Sequence, residues 1–340
     1  MNDLILNITD ACNLSCKYCF VNKKPHYISL ETTLTAIDYA YSNNVKLIVF
    51  FGGEPLLCYN TIIVPAIKYI KQYNINISIT TNGTLLTPDK VDFLKENNCN
   101  ILFSFDGTKS TQDYNRSNSF DAVIKNIPYL LQQYPYVKCS STVYQDTVSN
   151  LYKDYLFLNE CGFKYWQCGF DTSSKKWTEE NFIILEDQIQ KIFTHPVEMI
   201  PTNLYALKNL ESHSIPLKKL LMYPCERCGL GTISQSVNYD GKIYACHHIH
   251  TNDNIFYLGD IYNGIDDARH QNLLNLFTKS LEQPVESEYC ANCGMSKICH
   301  FELDGISNCI VNNYLTRNSF NKNNCDICRI QNIIFKCLKI

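Results

Sequence analysis

Eighteen cysteines stand among 340 residues, and ten of them fall between Cys225 and Cys337. A chain so loaded commits its thiols either to disulfides or to metal. Disulfide frameworks belong to short exported chains. The opening residues, Met1 to Asp10, have neither the basic n-region nor the long apolar stretch of an export signal, so the expected compartment is the cytoplasm. Clustered thiols there point to metal or redox chemistry. The remaining balance is globular, with 45% apolar and 19% charged residues and a formal net charge of −3. That charge argues against nucleic-acid and anionic-membrane partners. No apolar run reaches the ~18 residues of a membrane span. The last four residues, Cys337-Leu338-Lys339-Ile340, imitate a prenylation box, but Lys339 occupies a position that calls for an aliphatic side chain.

The first two hundred residues alternate strand and helix patterns. Runs rich in Ile, Val, Phe and Thr predict buried parallel strands at Leu4–Thr9, Val45–Phe51, Asn76–Thr81, Asn100–Phe105, Val137–Val143 and Tyr165–Phe170. Helix-period segments lie between them: Leu30–Asn43 after a Ser29 cap, Lys90–Asn97 after Thr87-Pro88, Phe120–Gln133, and Glu179–Phe193 after a Thr178 cap. Six such units in about 210 residues fall short of the eight of a closed barrel. The expected fold is therefore α/β, a partial (β/α)6 TIM barrel over residues 1–205. A connector is expected at 206–222, then a small cysteine-rich domain at 223–340 ordered by ligand cysteines. In that last part, Ser234–Tyr239 and Lys242–Ala245 flank the hairpin signal Asp240-Gly241, and little regular helix is expected before Lys322–Ile340.

Two motifs stand directly after predicted strands. Cys12, Cys16 and Cys19 form C-x3-C-x2-C in the loop after the first. Three thiolates on one short loop can hold three irons of a [4Fe–4S] cube and leave the fourth open. Zinc would require a fourth ligand, and none is near in sequence. Phe51-Gly52-Gly53-Glu54-Pro55 follows the second strand; its glycines permit close backbone approach and Glu54 adds a carboxylate.

Together, C-x3-C-x-Y-C-F at 12–20 and G-G-E-P at 52–55 resemble the radical S-adenosylmethionine enzymes. The resemblance implies a cluster whose open iron chelates S-adenosyl-L-methionine and releases a 5′-deoxyadenosyl radical. It implies that Gly52, Gly53 and Glu54 hold the methionine amino group, and that Tyr18, Asn82, Ser104 and Asp106 lie at the cofactor. Asp106 also reads simply as a turn or cap residue. Arg116, in a D-x-x-R similar to one in the same subgroup, is expected to pair with a carboxylate or to stand exposed at a helix start.

The cysteines after 225 resemble the SPASM extension of this family, with Cys228-x12-Gly241-x4-Cys246 and Cys290-x2-Cys293-x5-Cys299. Nine residues separate Cys309 from Cys299, where the family has three. The resemblance implies one auxiliary cluster on Cys225, Cys228, Cys246 and Cys309. A second would use Cys290, Cys293, Cys299 and either Cys325 or Cys328, with Cys325 favoured. Cys58, Cys99, Cys139, Cys161, Cys168 and Cys337 read as buried packing residues. His247, His248 and His250 could ligate metal, move protons or simply pack.

The stretch from Cys246-His247-His248 to Phe256-Tyr257-Leu258-Gly259-Asp260-Ile261 is similar to members that join cysteine sulfur to carbon. The leading expectation is a maturase that installs a thioether or carbon–carbon crosslink in a ribosomally made peptide. Its partners would be the peptide or protein substrate and an external electron donor of flavodoxin or ferredoxin type. Because the three-cysteine motif begins at residue 12, leader binding would need a separate leader-peptide-binding protein, direct recognition by the barrel, or a different substrate altogether. The alternative is an anaerobic sulfatase-maturing enzyme that makes formylglycine. Its family places an Asp where His247 stands. A non-catalytic iron–sulfur carrier or zinc protein has no use for the Gly52-Gly53-Glu54 loop.

Overall fold

The predicted alternation is present in the computed structural model, which describes residues 1–202, 204, 231–249, 255–281, 314 and 325–337. Strands β1 (Asp3–Thr9), β2 (Leu47–Gly52), β3 (Asn76–Thr81) and β4 (Cys99–Ser104) match their expected runs within two residues. So do β5 (Lys138–Val143) and β6 (Tyr165–Phe170), which is followed by the short β7 (Ile200–Pro201). Helix α1 (Leu30–Ser42) starts where Ser29 Oγ accepts the Thr32 N–H at 2.9 Å. Two further helices follow in the first third, α2 (Val64–Ile70) and α3 (Pro88–Glu96).

The chain divides into two compact units. The first comprises residues 1–15, 19–103 and 225–279. Within it β1 to β4 are parallel neighbours in chain order. On the other side of β1 lies β8 (Ser234–Val237), also parallel, and then β9 (Lys242–Tyr244), β10 (Tyr257–Asp260) and β11 (Gly264–Ile265) continue antiparallel. The predicted hairpin is therefore β8–β9, with Gly241 at φ +80° in its turn, a backbone region that favours glycine. Register places Leu6, Phe50, Ile79 and Ile101 in one row, and all four are buried. The opposite face carries Val49, Phe51, Ser78 and Thr80, all half-buried. Burial thus alternates along β2 and β3, as expected when one face packs under helices and the other stays more accessible.

The second unit comprises residues 16–18, 104–224 and 280–340. Its strands β5, β6 and β7 are parallel. Its helices are α4 (Lys109–Asn115), α5 (Phe120–Ile124), α6 (Ile127–Gln133), α7 (Leu151–Glu160), α8 (Glu179–Thr194) and α10 (Cys325–Cys337). The helix expected over Phe120–Gln133 is broken in two, because Pro128 lacks the N–H that would bond back to Ile124. Thr178 and Asn181 close a reciprocal capping box on α8. Helix α10 lies against α8: Arg329 pairs with Glu179 and sits 3.7 Å over the Phe182 ring, and Asp326 accepts the Trp177 N–H at 3.1 Å. One expectation is corrected here. Regular helix does precede residue 322, as α9 (Asp267–Leu281), whose start is capped by Asp266 accepting the Arg269 N–H at 3.1 Å.

Among the described residues no helix is long and apolar enough to cross a membrane.

Candidate active site

In the first unit the carboxyl ends of β1, β2 and β3 are tied together by their loops. Gly53 N donates to Thr9 O at 2.7 Å and Glu54 N to Ala11 O at 2.9 Å, so the glycine loop lies flat against the start of the cysteine loop. No side chain fits there. A Cβ on Gly53 would stand 2.1 Å from Ala11 O, and one on Gly52, at φ +133°, 2.3 Å from Thr9 O. The two glycines thus allow the loop after β2 to approach the cysteine loop backbone to backbone.

Glu54 is wholly buried. Its Oε1 accepts the Leu56 N–H at 3.0 Å and the Thr81 hydroxyl at 2.8 Å, and its Oε2 accepts the Asn82 N–H at 2.8 Å. Burial pushes its pKa up, opposed by these three donors. The carboxylate expected to meet a ligand ammonium is engaged by the loops after β2 and β3, which it fastens together.

Asn82 continues the chain of contacts. Its Nδ2 lies 3.0 Å from Asn13 Oδ1 and 3.8 Å from Cys12 Sγ, while its Oδ1 accepts the Thr84 N–H at 3.0 Å. Cys12 Sγ also accepts the Leu14 N–H at 3.4 Å. Burial pushes the Cys12 thiol up, and that amide opposes the shift by favouring the thiolate. None of Cys12, Cys16 and Cys19 is in a disulfide, and Cys19 is exposed. Unbridged thiols, with amide donors aimed at Cys12 Sγ, fit ligation of an iron–sulfur cluster. Among the described residues no group of three His, Cys, Asp or Glu side chains is arranged around a single metal ion.

In the second unit the middle of the cysteine loop, Cys16–Tyr18, is anchored separately. Lys17 N donates to Asn115 O at 3.0 Å, and Tyr18 Oη donates to Asp106 Oδ2 at 2.6 Å. Asp106 stands just beyond Ser104, the half-buried last residue of β4. Its carboxylate also accepts Asn115 Nδ2 at 3.0 Å and Thr142 N at 3.1 Å, and it pairs with Arg116 Nε at 2.9 Å. Burial pushes the Tyr18 phenol well up. Burial also works against the Arg116 charge, but Asp106 outweighs it and raises the guanidinium's pKa. Arg116 does pair with a carboxylate, and that carboxylate belongs to the protein. These three side chains therefore position the loop from behind. Asp154 of α7 does the same for the next segment, accepting both the Thr108 N–H at 2.9 Å and the Thr108 hydroxyl at 2.5 Å.

Of the expected auxiliary ligands, Cys246 is half-exposed after β9 and Cys328 is buried in α10. Cys325 opens α10. Cys225, Cys228, Cys290, Cys293, Cys299 and Cys309 lie outside the described residues, as does His250. Phe20, next to Cys19, stacks on His248 at 3.9 Å, and Phe51 meets His247 edge-on at 4.9 Å. The clamping roles of Thr81 and Asp154 carried no sequence signal.

Comparison with known proteins accords with this arrangement. Residues 6–150 match the Radical SAM superfamily. That superfamily uses S-adenosyl-L-methionine and a [4Fe–4S] cluster. Among curated relatives, the chain is 32% identical over 166 residues to the radical SAM cyclopropyl synthase TigE of Paramaledivibacter caminithermalis, covering 42% of this chain and 35% of that protein. It is 30% identical over 184 residues to a cysteine-type anaerobic sulfatase-maturating enzyme of Clostridium novyi, covering 48% and 49%. The chain thus spans about a third to a half of the length of these relatives. In fold it is similar to native anSMEcpe with bound AdoMet, at TM-score 0.75 and 20% identity over 100% of this chain and 97% of the other. It is also similar to Streptococcus suis SuiB bound to precursor peptide SuiA, at TM-score 0.65 and 17% identity over 96% and 75%.

Proposed function

We propose that this chain is a radical S-adenosylmethionine enzyme that modifies a peptide and installs an intramolecular thioether or carbon–carbon crosslink. The observation that carries the reading is the loop after β1: its start packs backbone to backbone against Gly52-Gly53 at Thr9 and Ala11, and it carries Cys12, Cys16 and Cys19 in C-x3-C-x2-C spacing, none of them in a disulfide. The cluster and S-adenosyl-L-methionine, when bound, would supply a 5′-deoxyadenosyl radical that takes hydrogen from a substrate carbon. Cys12, Cys16 and Cys19 would hold that cluster. Gly52 and Gly53 would present bare backbone to the methionine moiety, while Glu54 and Asn82 hold their loops in place. Ser104 would face the cofactor from the end of β4, with Tyr18, Asp106 and Arg116 securing the cysteine loop.

The finer architecture belongs to the same reading. Residues 1–205 would form a partial barrel and 206–222 a connector. Residues 223–340 would form a SPASM-like domain whose cysteines hold two auxiliary clusters in the sets given above. A peptide substrate is supported by likeness in fold to SuiB, whose structure contains a precursor peptide.

Formylglycine formation is the second reading, favoured by likeness in fold to anSMEcpe over the full chain. His247 stands where that reading expects an Asp. High-resolution mass spectrometry separates the two. A cysteine-containing peptide encoded beside this chain is expected to lose two hydrogens per event in the presence of the reconstituted enzyme, reductant and S-adenosyl-L-methionine. Conversion of a sulfatase-motif peptide to the aldehyde, with no crosslink in the first peptide, would reverse the order.

A further inference from the structure

A second chemical group stands on the cysteine loop, and the reading above leaves it unused. Asp10, one residue past β1, is buried at 5% exposure, and its Oδ2 lies 3.0 Å from Nδ1 of His26. The His26 ring stacks on Tyr239 at 4.2 Å with 22° between planes. Tyr239 follows β8, and β8 runs parallel to β1, so all three residues stand at the carboxyl ends of neighbouring strands. Catalytic groups collect at that end in α/β proteins.

The loop is pinned where it carries His26. Asp10 N donates to His26 O at 3.1 Å, Thr9 Oγ1 donates to the same oxygen at 2.7 Å, and Ile28 N donates to Ile8 O at 2.9 Å. The imidazole is thus oriented by a buried carboxylate and an aromatic face, yet its side chain keeps 36% exposure. A carboxylate on Nδ1 fixes the tautomer with its proton on that nitrogen and leaves Nε2 as the basic one. Tyr239 is flanked in its turn by the Asp240–Lys242 ion pair at 3.1 Å, and on His26's own loop Lys23 is turned to Leu14 O at 2.5 Å. Among the described residues, Asp10 and Tyr239 are the titratable groups recorded against the ring.

We propose that His26 is the general base that takes the proton of a substrate cysteine thiol, with Asp10 and Tyr239 as its positioning residues. The inference rests on the peptide-maturase reading. In the step, the S–H bond breaks, an Nε2–H bond forms and the electron pair stays on sulfur, so no oxidant enters. The ordinary basicities of imidazole and thiolate lie within about two pKa units of each other, whereas an alcohol is far less acidic, so the dyad selects a thiol.

His26→Asn keeps an amide donor for Asp10 and removes the basic nitrogen; His26→Gln is the second variant. With the iron-loaded enzyme and a cysteine-containing peptide, each is expected to lower the ratio of crosslinked product to 5′-deoxyadenosine on the order of a hundredfold. In the wild type, the same peptide is expected to shield His26 from diethyl pyrocarbonate, read by peptide mapping. A ratio within threefold of wild type in both variants, or undiminished modification with peptide present, overturns the proposal. A wild type that forms no 5′-deoxyadenosine overturns the functional reading itself, and the base with it.

Discussion

Glu54→Ala tests whether the Glu54 carboxylate is the clamp that sets the loops after β2 and β3. The carboxylate serves three donors: the Leu56 amide, the Thr81 hydroxyl and the Asn82 amide. Each buried donor left without a partner costs about 1–3 kcal/mol. Relief of the carboxylate's own burial returns part of that, so the substitution should cost about 2–5 kcal/mol. Glu54→Gln is milder. Its Oε1 keeps the Leu56 and Thr81 donors, but an NH2 then faces the Asn82 amide, for a loss of about 1–3 kcal/mol. Hydrogen exchange resolved to single amides reads both effects where they occur. At tenfold per 1.4 kcal/mol, even a 2 kcal/mol loss speeds exchange at Leu56 and Asn82 about thirtyfold. In the Gln variant the change should be confined largely to Asn82. If Glu54→Ala leaves both amides exchanging within threefold of wild type, the clamp argument is wrong.

Three further outcomes follow from the same geometry. Gly53→Ala must push against the Ala11 carbonyl, and is expected to cost about 1–3 kcal/mol or more in urea unfolding and to lower iron retained after reconstitution; full iron content at wild-type stability contradicts the close approach. Arg116→Ala leaves the buried Asp106 charge without its ion-pair partner and should destabilise by about 3–5 kcal/mol, which a loss under 1 kcal/mol would exclude. Asp154 has its pKa pushed up to about 7 by burial. The folded protein therefore holds that proton more tightly than the unfolded chain, so the contribution is complete below about pH 4 and lost as pH rises through about 7. Relative to Asp154→Asn, which keeps an oxygen for Thr108, wild-type stability should fall by up to about 4 kcal/mol across that window; parallel stability curves for the two proteins would refute it.

The six principal strands were legible because each is a short run of β-branched and aromatic residues bounded by turn formers. Ser29 and Thr178 announced their helices, because a cap is a local interaction that sequence spacing reveals. The break at Pro128 was legible in principle, because proline cannot continue the helical hydrogen-bond ladder. So was α9, where Asp266 supplies a cap and Leu273, Leu274, Phe277 and Leu281 recur at helical spacing. The cysteine and glycine motifs were visible as text. The partners of Glu54 and Asp106 were not, since what a carboxylate bonds to depends on residues brought together from separate elements, Thr81 on β3, Asn115 on α4 and Thr142 on β5. The same holds for Asp10 and His26, which are sixteen residues apart and joined only because the loop returns to β1.

The account turns on the three cysteines of the first loop, and the most direct test is the yield of 5′-deoxyadenosine from S-adenosyl-L-methionine under reducing, oxygen-free conditions. The reconstituted wild type is expected to form it. A variant with Cys12, Cys16 and Cys19 all replaced by alanine is expected to form none while retaining any iron held elsewhere. Equal yields from both proteins, or none from a fully iron-loaded wild type, would contradict the assignment.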